Sequence, residues 1–69
     1  MKKTLIINGM MCGHCEMHVK KALEGIPGVA EAEVSHKKGE AVLSLNENVP
    51  DETLKKAVAD EGYEVTDIR

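Results

Sequence analysis

The sequence predicts an α+β fold: a ferredoxin-like βαββαβ sandwich with a four-stranded antiparallel sheet and two helices on one face. Two observations predict it. The spacing of apolar residues changes between period two and a period of about 3.6 in the order strand, helix, strand, strand, helix, strand. The chain also repeats itself: residues 19–23 (VKKAL) return as 54–58 (LKKAV), and residues 5–8 (LIIN) return as 43–46 (LSLN). Each half then forms one βαβ unit, and right-handed crossovers interleave the two units in one sheet.

A strand and a helix are predicted in the first third of the chain. Residues 3–8 (KTLIIN) are β-branched and aliphatic and alternate at period two before a glycine ends the run. Residues 15–25 are predicted as a helix because apolar residues return at i, i+3, i+4 and i+7, and Glu16 and Lys20 form an i, i+4 pair on the outer face. The members of the apolar stripe are Val19, Ala22, Leu23 and Ile26. The turn at residues 26–28 (IPG) prevents the helix from continuing.

The rest of the chain predicts a hairpin, a second helix and a closing strand. The predicted elements are strands at 31–36 and 41–45, a loop at 46–50, a helix at 51–61 and a last strand at 63–68. Apolar and polar residues alternate on both sides of residues 37–39 (KKG), which is typical of two strands joined by a turn. The helix shows an apolar stripe of Leu54, Ala57 and Val58, and an alternative start one or two residues earlier, with Pro50 at the first position, stays open.

Length and composition restrict the function classes. Sixty-nine residues allow a single domain, residues 1–69, and a chain this short buries only about 60% of the surface that it exposes when unfolded. The formal charge of −3 comes from 12 acidic and 9 basic residues that are mixed along the chain. Tyr63 is the only aromatic residue, so the stacking side chains that single-strand binders use are missing. We therefore expect no nucleic acid partner.

The N-terminal segment predicts a cytoplasmic location. The apolar run after Met1, Lys2 and Lys3 is confined to residues 5–7, which is too short for a secretory signal and far too short to span a bilayer. We therefore expect no membrane insertion. Reducing thiol pools in the cytosol keep cysteine pairs reduced, so two cysteines in such a chain are expected to bind metal or to take part in catalysis.

Cys12 and Cys15 define the candidate site. On the predicted fold Cys12 lies in the loop after the first strand, and Cys15 lies in the first turn of the first helix. At a helix N-terminus, unpaired backbone N–H groups and the positive end of the dipole stabilise a thiolate and lower the pKa of a cysteine. A redox couple and a metal clamp both need that thiolate, so the position alone leaves both interpretations open.

A dithiol oxidoreductase is disfavoured by the rest of the chain. Thioredoxin-like enzymes are usually longer, place the C-x-x-C motif after an aromatic residue and a long buried strand, and present a proline opposite the dithiol. Here Met11 precedes Cys12, and both Pro27 and Pro50 lie in or beside turns rather than at the start of a strand. We therefore expect that the protein is not an enzyme.

A metal site is favoured, and two ions compete for it. Zinc prefers four ligands, and the chain has no second C-x-x-C motif. Cys12, Cys15 and His18 would supply three ligands, because His18 lies one helical turn beyond Cys15. Copper(I) is soft and selects thiolates, and two of them are enough for it. The sequence favours copper(I) and leaves the three-ligand zinc site as an alternative.

Residues 9–15 (GMMCGHC) resemble the G-M-x-C-x-x-C signature of heavy-metal-associated domains, and the whole chain resembles a free-standing bacterial copper chaperone. The similarity extends over essentially all 69 residues. It includes Gly28 and Val29 after the first helix and residues 62–65 (GYEV) before the end. Together these features are far more specific than a C-x-x-C motif alone.

The resemblance implies that Cys12 and Cys15 bind copper(I) and transfer it by ligand exchange to a partner with the same motif. The implied partner is the N-terminal metal-binding domain of a copper-transporting P-type ATPase, with a copper-responsive repressor as a second candidate. The chaperone is expected to be a monomer without metal, and a copper-bridged dimer is a further state that the sequence leaves open.

Other residues of the motif have implied roles near the metal. Met10 matches the family methionine that packs under the loop as part of the core, and Tyr63 matches the position beside the metal. His14 is expected to lie near the thiolates without binding the metal. Met11 replaces the usual Thr or Ser, which leaves open whether a second thioether contacts the metal.

Two other functions remain as alternatives. The chain would also suit a metal-binding regulatory domain of a larger transporter or reductase, or, with less support, a small dithiol oxidoreductase. Ordinary ends at Met1 and Arg69 favour the free-standing carrier. Mercury carriers share the motif, but those act outside the cytosol and are expected to carry an export signal. His18 and His36 are expected to be ordinary surface histidines.

Overall fold

The computed structural model describes residues 1–11 and 13–69 and has the predicted order of elements. These are β1 (Lys2–Asn8), α1 (Gly13–Glu24), β2 (Val29–Ser35), β3 (Glu40–Leu45), α2 (Asp51–Asp60) and β4 (Glu64–Ile68). The strand order is β2-β3-β1-β4, and every neighbouring pair is antiparallel. The predicted ferredoxin-like sandwich is confirmed, with β2 and β4 at the edges of the sheet.

Both helices lie on one face of the sheet. α1 packs against β2, α2 packs against β4, and the two helices contact each other. The side chains between helices and sheet are aliphatic, as the composition predicts. The buried residues of this core are Leu5, Ile7, Met10, Val19, Leu23, Val29, Ala32, Ala41, Leu43, Leu45, Val49, Leu54 and Val58. Neither helix in the described part of the chain is long and apolar enough to cross a membrane.

The first helix and the second strand begin earlier than predicted. α1 starts at Gly13 rather than at residue 15, and both Gly13 and His14 are exposed. Apolar periodicity marks only the buried stripe of a helix, so it cannot show an exposed first turn. β2 starts at Val29 rather than at residue 31, because the pairing with β3 shifts register between Val29 and Glu31 and interrupts the alternation.

The turn after α1 packs against the loop before α2. Val49 is only 3% exposed, although it lies in a segment predicted to be a plain loop. Gly28 has a φ of +100°, and a Cβ atom there would lie 2.7 Å from Cγ of Glu47 and 2.8 Å from Cγ2 of Val49. The close approach of the two segments therefore requires glycine at position 28.

Candidate metal site

The candidate site lies at the junction of β1 and α1. β1 ends at Asn8 and α1 begins at Gly13, so residues 9–12 connect the strand to the helix. The sequence therefore places the G-M-M-C segment at one end of the sandwich, beside the N-terminus of a helix. Cys12 lies outside the described residues, so its predicted role as a metal ligand remains a prediction.

Cys15 is the third residue of α1 and is half-buried against the core. It lies in the first turn, as the sequence predicts. The backbone N–H groups of that turn have no partners within the helix, and they give the helix N-terminus a partial positive charge. A thiolate at this position is stabilised relative to the thiol, and thiolate is the form that binds soft metal ions.

The two methionines of the loop face opposite environments. Met10 is 7% exposed and belongs to the core, as the resemblance implies, whereas Met11 is 83% exposed. The Met10 side chain anchors the loop to the sandwich through apolar packing. Met11 instead presents a thioether to solvent immediately before Cys12 in the chain. The loop is thus anchored to the core by Met10, while Met11 is exposed to solvent.

Tyr63 lies beside the start of the loop. Its side chain is half-buried and packs against the core. A methyl group added to Gly9, where φ is +101°, would lie 3.5 Å from Cδ1 of Tyr63. The ring is therefore in contact with the backbone that leads into the candidate site, which fits the implied position of Tyr63 near the metal. Its role toward the metal remains a prediction.

His14 and His18, the two histidines closest to the motif, are both exposed. His14 is exposed, but it lies in the first turn of α1 rather than in the loop before the helix. The His18 side chain is 65% exposed, as expected for a surface histidine, and its Nδ1 lies 3.7 Å from Oε1 of Glu61. Within residues 1–11 and 13–69, no three His, Cys, Asp or Glu side chains come together in a way that could hold a metal ion.

Glu16 and His36 form a contact that the sequence analysis missed. Oε1 of Glu16 accepts hydrogen bonds from the backbone N–H of His36 at 2.7 Å and lies 2.7 Å from Nδ1 of its ring. The prediction that His36 is an ordinary surface histidine is wrong, because its side chain is only 27% exposed and its Nδ1 lies 2.7 Å from Oε1 of Glu16. The expected pairing of Glu16 with Lys20 is also wrong, since the carboxylate reaches the end of β2 instead.

One signal could have identified this contact. His36 continues the alternation of Ala32 and Val34, so period two places it on the face of the strand that α1 covers. The bonds have an electrostatic consequence: the hydrogen bond from the His36 backbone, followed by that from its ring, lowers the pKa of Glu16 from its ordinary 4.5. Glu16 is therefore an ionised anchor one residue from Cys15.

A family profile and two known proteins match most of this chain. The profile of the heavy-metal-associated domain matches residues 4–64. A mercuric reductase of Acidithiobacillus ferrooxidans is 51% identical over 61 residues, which is 88% of this chain and 11% of the enzyme. The chain thus spans about a tenth of that relative. The copper chaperone CopZ of Staphylococcus aureus (strain bovine RF122 / ET3-1) is 37% identical over 65 residues, covering 93% of this chain and 96% of CopZ.

Solved structures give the same result for the fold. A CopZ metallochaperone superimposes with a TM-score of 0.90 at 34% identity, covering 96% of this chain and 100% of that one. A copper binding domain from HMA7, a P-type ATPase, superimposes with a TM-score of 0.85 at 30% identity, covering 100% of this chain and 92% of that one.

Proposed function

The chain belongs to the heavy-metal-associated domain family, and we propose that within it the protein is a copper(I) chaperone. Cys12 and Cys15 hold the ion as a pair of thiolates. The observation that carries the proposal is the position of Cys15 in the first turn of α1, three residues after the other cysteine in the sequence. Likeness to CopZ over 93% of this chain and 96% of that relative supports copper as the cargo.

Transfer follows from an incomplete coordination sphere. Two thiolates satisfy copper(I) without enclosing it, so a thiolate of an incoming partner can add as a third ligand. One thiolate of this chain is then released, the second thiolate of the partner binds in its place, and release of the remaining thiolate of this chain completes the transfer without a free ion. The loop suits this exchange, because the Met10 side chain is buried and fixes the loop while Met11 beside the site is exposed.

The partner that we propose is the N-terminal metal-binding domain of a copper-transporting P-type ATPase. Support comes from the copper binding domain of HMA7, a P-type ATPase, which shares the fold with a TM-score of 0.85 at 30% identity. A donor and an acceptor with matching folds and thiolate pairs differ little in affinity, so the ion passes readily in either direction. A copper-responsive repressor is the second partner proposed. We further propose a cytoplasmic carrier without enzymatic activity, monomeric without metal, with a copper-bridged dimer as a loaded state.

Competition for copper(I) against a calibrated chelator tests the proposal. The reduced wild-type chain is compared with Cys12→Ser and Cys15→Ser, and with His14→Ala as a control that removes an exposed side chain from the same turn. Each serine variant should lose copper(I) affinity by at least about 100-fold, because a hydroxyl is a poor ligand for a soft ion. His14→Ala should bind like the wild type. A serine variant that retains wild-type affinity would contradict the assignment.

A mercury(II)-binding domain is the second candidate. The observation that favours it is the 51% identity to a mercuric reductase over 61 residues. Mercury(II) is also soft and also accepts two thiolates, so the chemistry of the site suits both ions. Parallel titrations with copper(I) and mercury(II), followed by transfer of each ion to an isolated ATPase metal-binding domain, separate the candidates. Transfer of copper(I) supports the chaperone, and transfer of neither ion would exclude the proposed partner.

A further inference from the structure

Two carboxylates of α1 attach this helix to the edge strand β2. The backbone N–H of His36 donates to Oε1 of Glu16 at 2.7 Å, and the backbone N–H of Ala32 donates to Oε2 of Glu24 at 3.3 Å. Ala32 belongs to the edge strand β2 and His36 is the first residue after it, so amides on the outer side of this segment have no neighbouring strand. The helix therefore satisfies backbone groups that another strand would otherwise pair with.

The spacing of the two attachments fits the geometry of both elements. Glu16 and Glu24 are eight residues apart on a helix, which corresponds to about 12 Å. Ala32 and His36 are four residues apart along an extended chain, which corresponds to about 13 Å. Even-numbered positions direct their amides to the same side of the strand, so both bonds belong to one row. Together they fix α1 along β2 rather than at a single point.

The attachment is stronger at the end that carries Cys15. There the Glu16 carboxylate binds both the backbone and the ring of His36, each at 2.7 Å, whereas Glu24 makes one bond at 3.3 Å. An open surface groove of about 360 Å³ runs along the outer edge of the contact between α1 and β2. Its lining residues are Gly13, Glu16, Met17, Lys20, Glu33 and Val34. The groove leaves the outer edge of this packed contact open to solvent, so the two carboxylates add attachments between helix and strand outside the buried core.

We propose that Glu16 and His36 are positioning residues for Cys15. They hold the first turn of α1 against the end of β2, so that the neighbouring thiolate keeps one position while metal is bound and passed on. This role rests on the proposed function of Cys15 as a copper(I) ligand. A ligand that is fixed before binding loses less conformational entropy on binding, and the gain appears as affinity for the metal.

Three variants of the full chain test the role. Glu16→Ala removes the attachment beside Cys15, and Glu24→Ala removes the matched attachment at the other end of the same helix. Glu16→Gln keeps an oxygen that accepts from the His36 N–H but removes the negative charge. Two measurements are made on each variant: copper(I) affinity by chelator competition, and hydrogen exchange of the His36 and Ala32 amides in the reduced, metal-free protein.

Glu16→Gln separates positioning from electrostatics. Removing a negative charge near two thiolates by itself weakens their affinity for a cation, and both Glu16→Ala and Glu16→Gln remove it. Positioning predicts that Glu16→Ala weakens copper(I) binding by about three- to tenfold, below the usual range for groups that bond a ligand directly. Glu16→Gln, which keeps the acceptor oxygen, and Glu24→Ala should stay within about twofold of the wild type, whereas equal weakening by Glu16→Gln and Glu16→Ala would assign the effect to charge and overturn the positioning role. Exchange at the His36 amide should accelerate in Glu16→Ala and stay slow in Glu24→Ala.

Each outcome decides one point. If Glu16→Ala binds copper(I) as tightly as the wild type while its His36 amide exchanges faster, the positioning role is overturned and the proposed function stands. If Glu16→Ala and Glu24→Ala weakened copper(I) binding equally, both contacts would only stabilise the helix in general. That result would also overturn the positioning role of Glu16. If the wild-type chain itself does not bind copper(I), the proposed function fails before the variants are compared.

Discussion

Glu16 and Cys15 are neighbours in the chain, yet their side chains contact different parts of the fold. The Cys15 side chain is half-buried against the core near the β1–α1 loop, whereas the Glu16 carboxylate crosses to the end of β2. Successive residues of a helix point about 100° apart, so one turn can present a metal ligand on one side and an anchor on another. Single positions in this turn therefore have separable effects on metal binding and on stability.

The ionisation of Glu16 should make stability depend on pH in the acidic range. Hydrogen bonds from the backbone and then the ring of His36 lower the pKa of Glu16 from 4.5 in the folded chain. A carboxyl with a lowered folded pKa stabilises the protein above its unfolded pKa, and this contribution is lost as pH falls through the folded pKa. Carbon NMR of the Glu16 carboxyl in the reduced, metal-free protein should give a midpoint below 4.5.

His36→Ala separates the two causes of that shift. The variant loses the ring but keeps the backbone N–H, which is the larger cause. The Glu16 midpoint should therefore rise and still remain below its ordinary value. A midpoint in the wild type at or above the ordinary value would contradict the hydrogen bonds at 2.7 Å.

At the scale of elements, the α1–β2 turn depends on glycine. At Gly28 a side chain would meet both an unfavourable φ of +100° and atoms of Glu47 and Val49 within 2.8 Å. Gly28→Ala should therefore lower the free energy of unfolding by at least about 1 kcal/mol. Gly13→Ala is the matched control, because a Cβ at Gly13 meets nothing within 4 Å and the residue is helical. The control should be neutral or stabilising by roughly 0.5 kcal/mol.

Chemical denaturation of the metal-free variants measures both effects. If Gly28→Ala and Gly13→Ala lowered the free energy of unfolding equally, the loss at position 28 would not come from its positive φ or from contact with Glu47 and Val49. If Gly28→Ala were as stable as the wild type, the loop around Val49 would be able to move away at little cost in free energy. That result would contradict the close packing indicated by Val49, which is only 3% exposed.

The elements of this fold could be predicted where burial is periodic. Leu5 and Ile7 alternate along β1, and Val19 and Leu23 repeat along α1, so those patterns identified the correct buried faces. Val49 could not be identified in this way, because a single buried residue in a loop has no period. Val49 is buried because the α1–β2 turn packs against it, and this long-range contact leaves no periodic pattern in the sequence.

The positions of Cys15 and Met10 could be predicted, but the contact of Glu16 with His36 could not. The predicted elements placed Cys15 in the first turn of α1, and the family resemblance implied that Met10 lies in the core. The Glu16–His36 contact joins residues 20 positions apart on different elements, and an i, i+4 rule applied within one helix assigned Glu16 to the wrong partner. Rules based on sequence spacing identify partners within one helix. The partner of Glu16 lies on another element, so it can be identified only once the packing of α1 on β2 is known.

At the scale of the whole molecule, metal binding should stabilise the fold as a unit. Cys15 lies in the first turn of α1, the helix that follows β1 in the chain, and β1 lies inside the sheet between β3 and β4. A ligand that binds only the folded state adds stability in proportion to the logarithm of its free concentration over its Kd. At 100 times the Kd this amounts to about 2.7 kcal/mol. In a domain of this size it should raise Tm by about 10–20 °C.

Thermal unfolding with and without buffered copper(I) measures this effect under anaerobic, reducing conditions. The wild-type chain should show the rise in Tm, and the double variant Cys12→Ser with Cys15→Ser should show none, because both proposed ligands are gone. Met11→Ser is the matched control: it replaces an 83% exposed side chain beside the site and should retain the rise. A rise that survived in the double variant would place copper(I) elsewhere on the molecule, and the dithiolate assignment would then fail together with the transfer mechanism built on it.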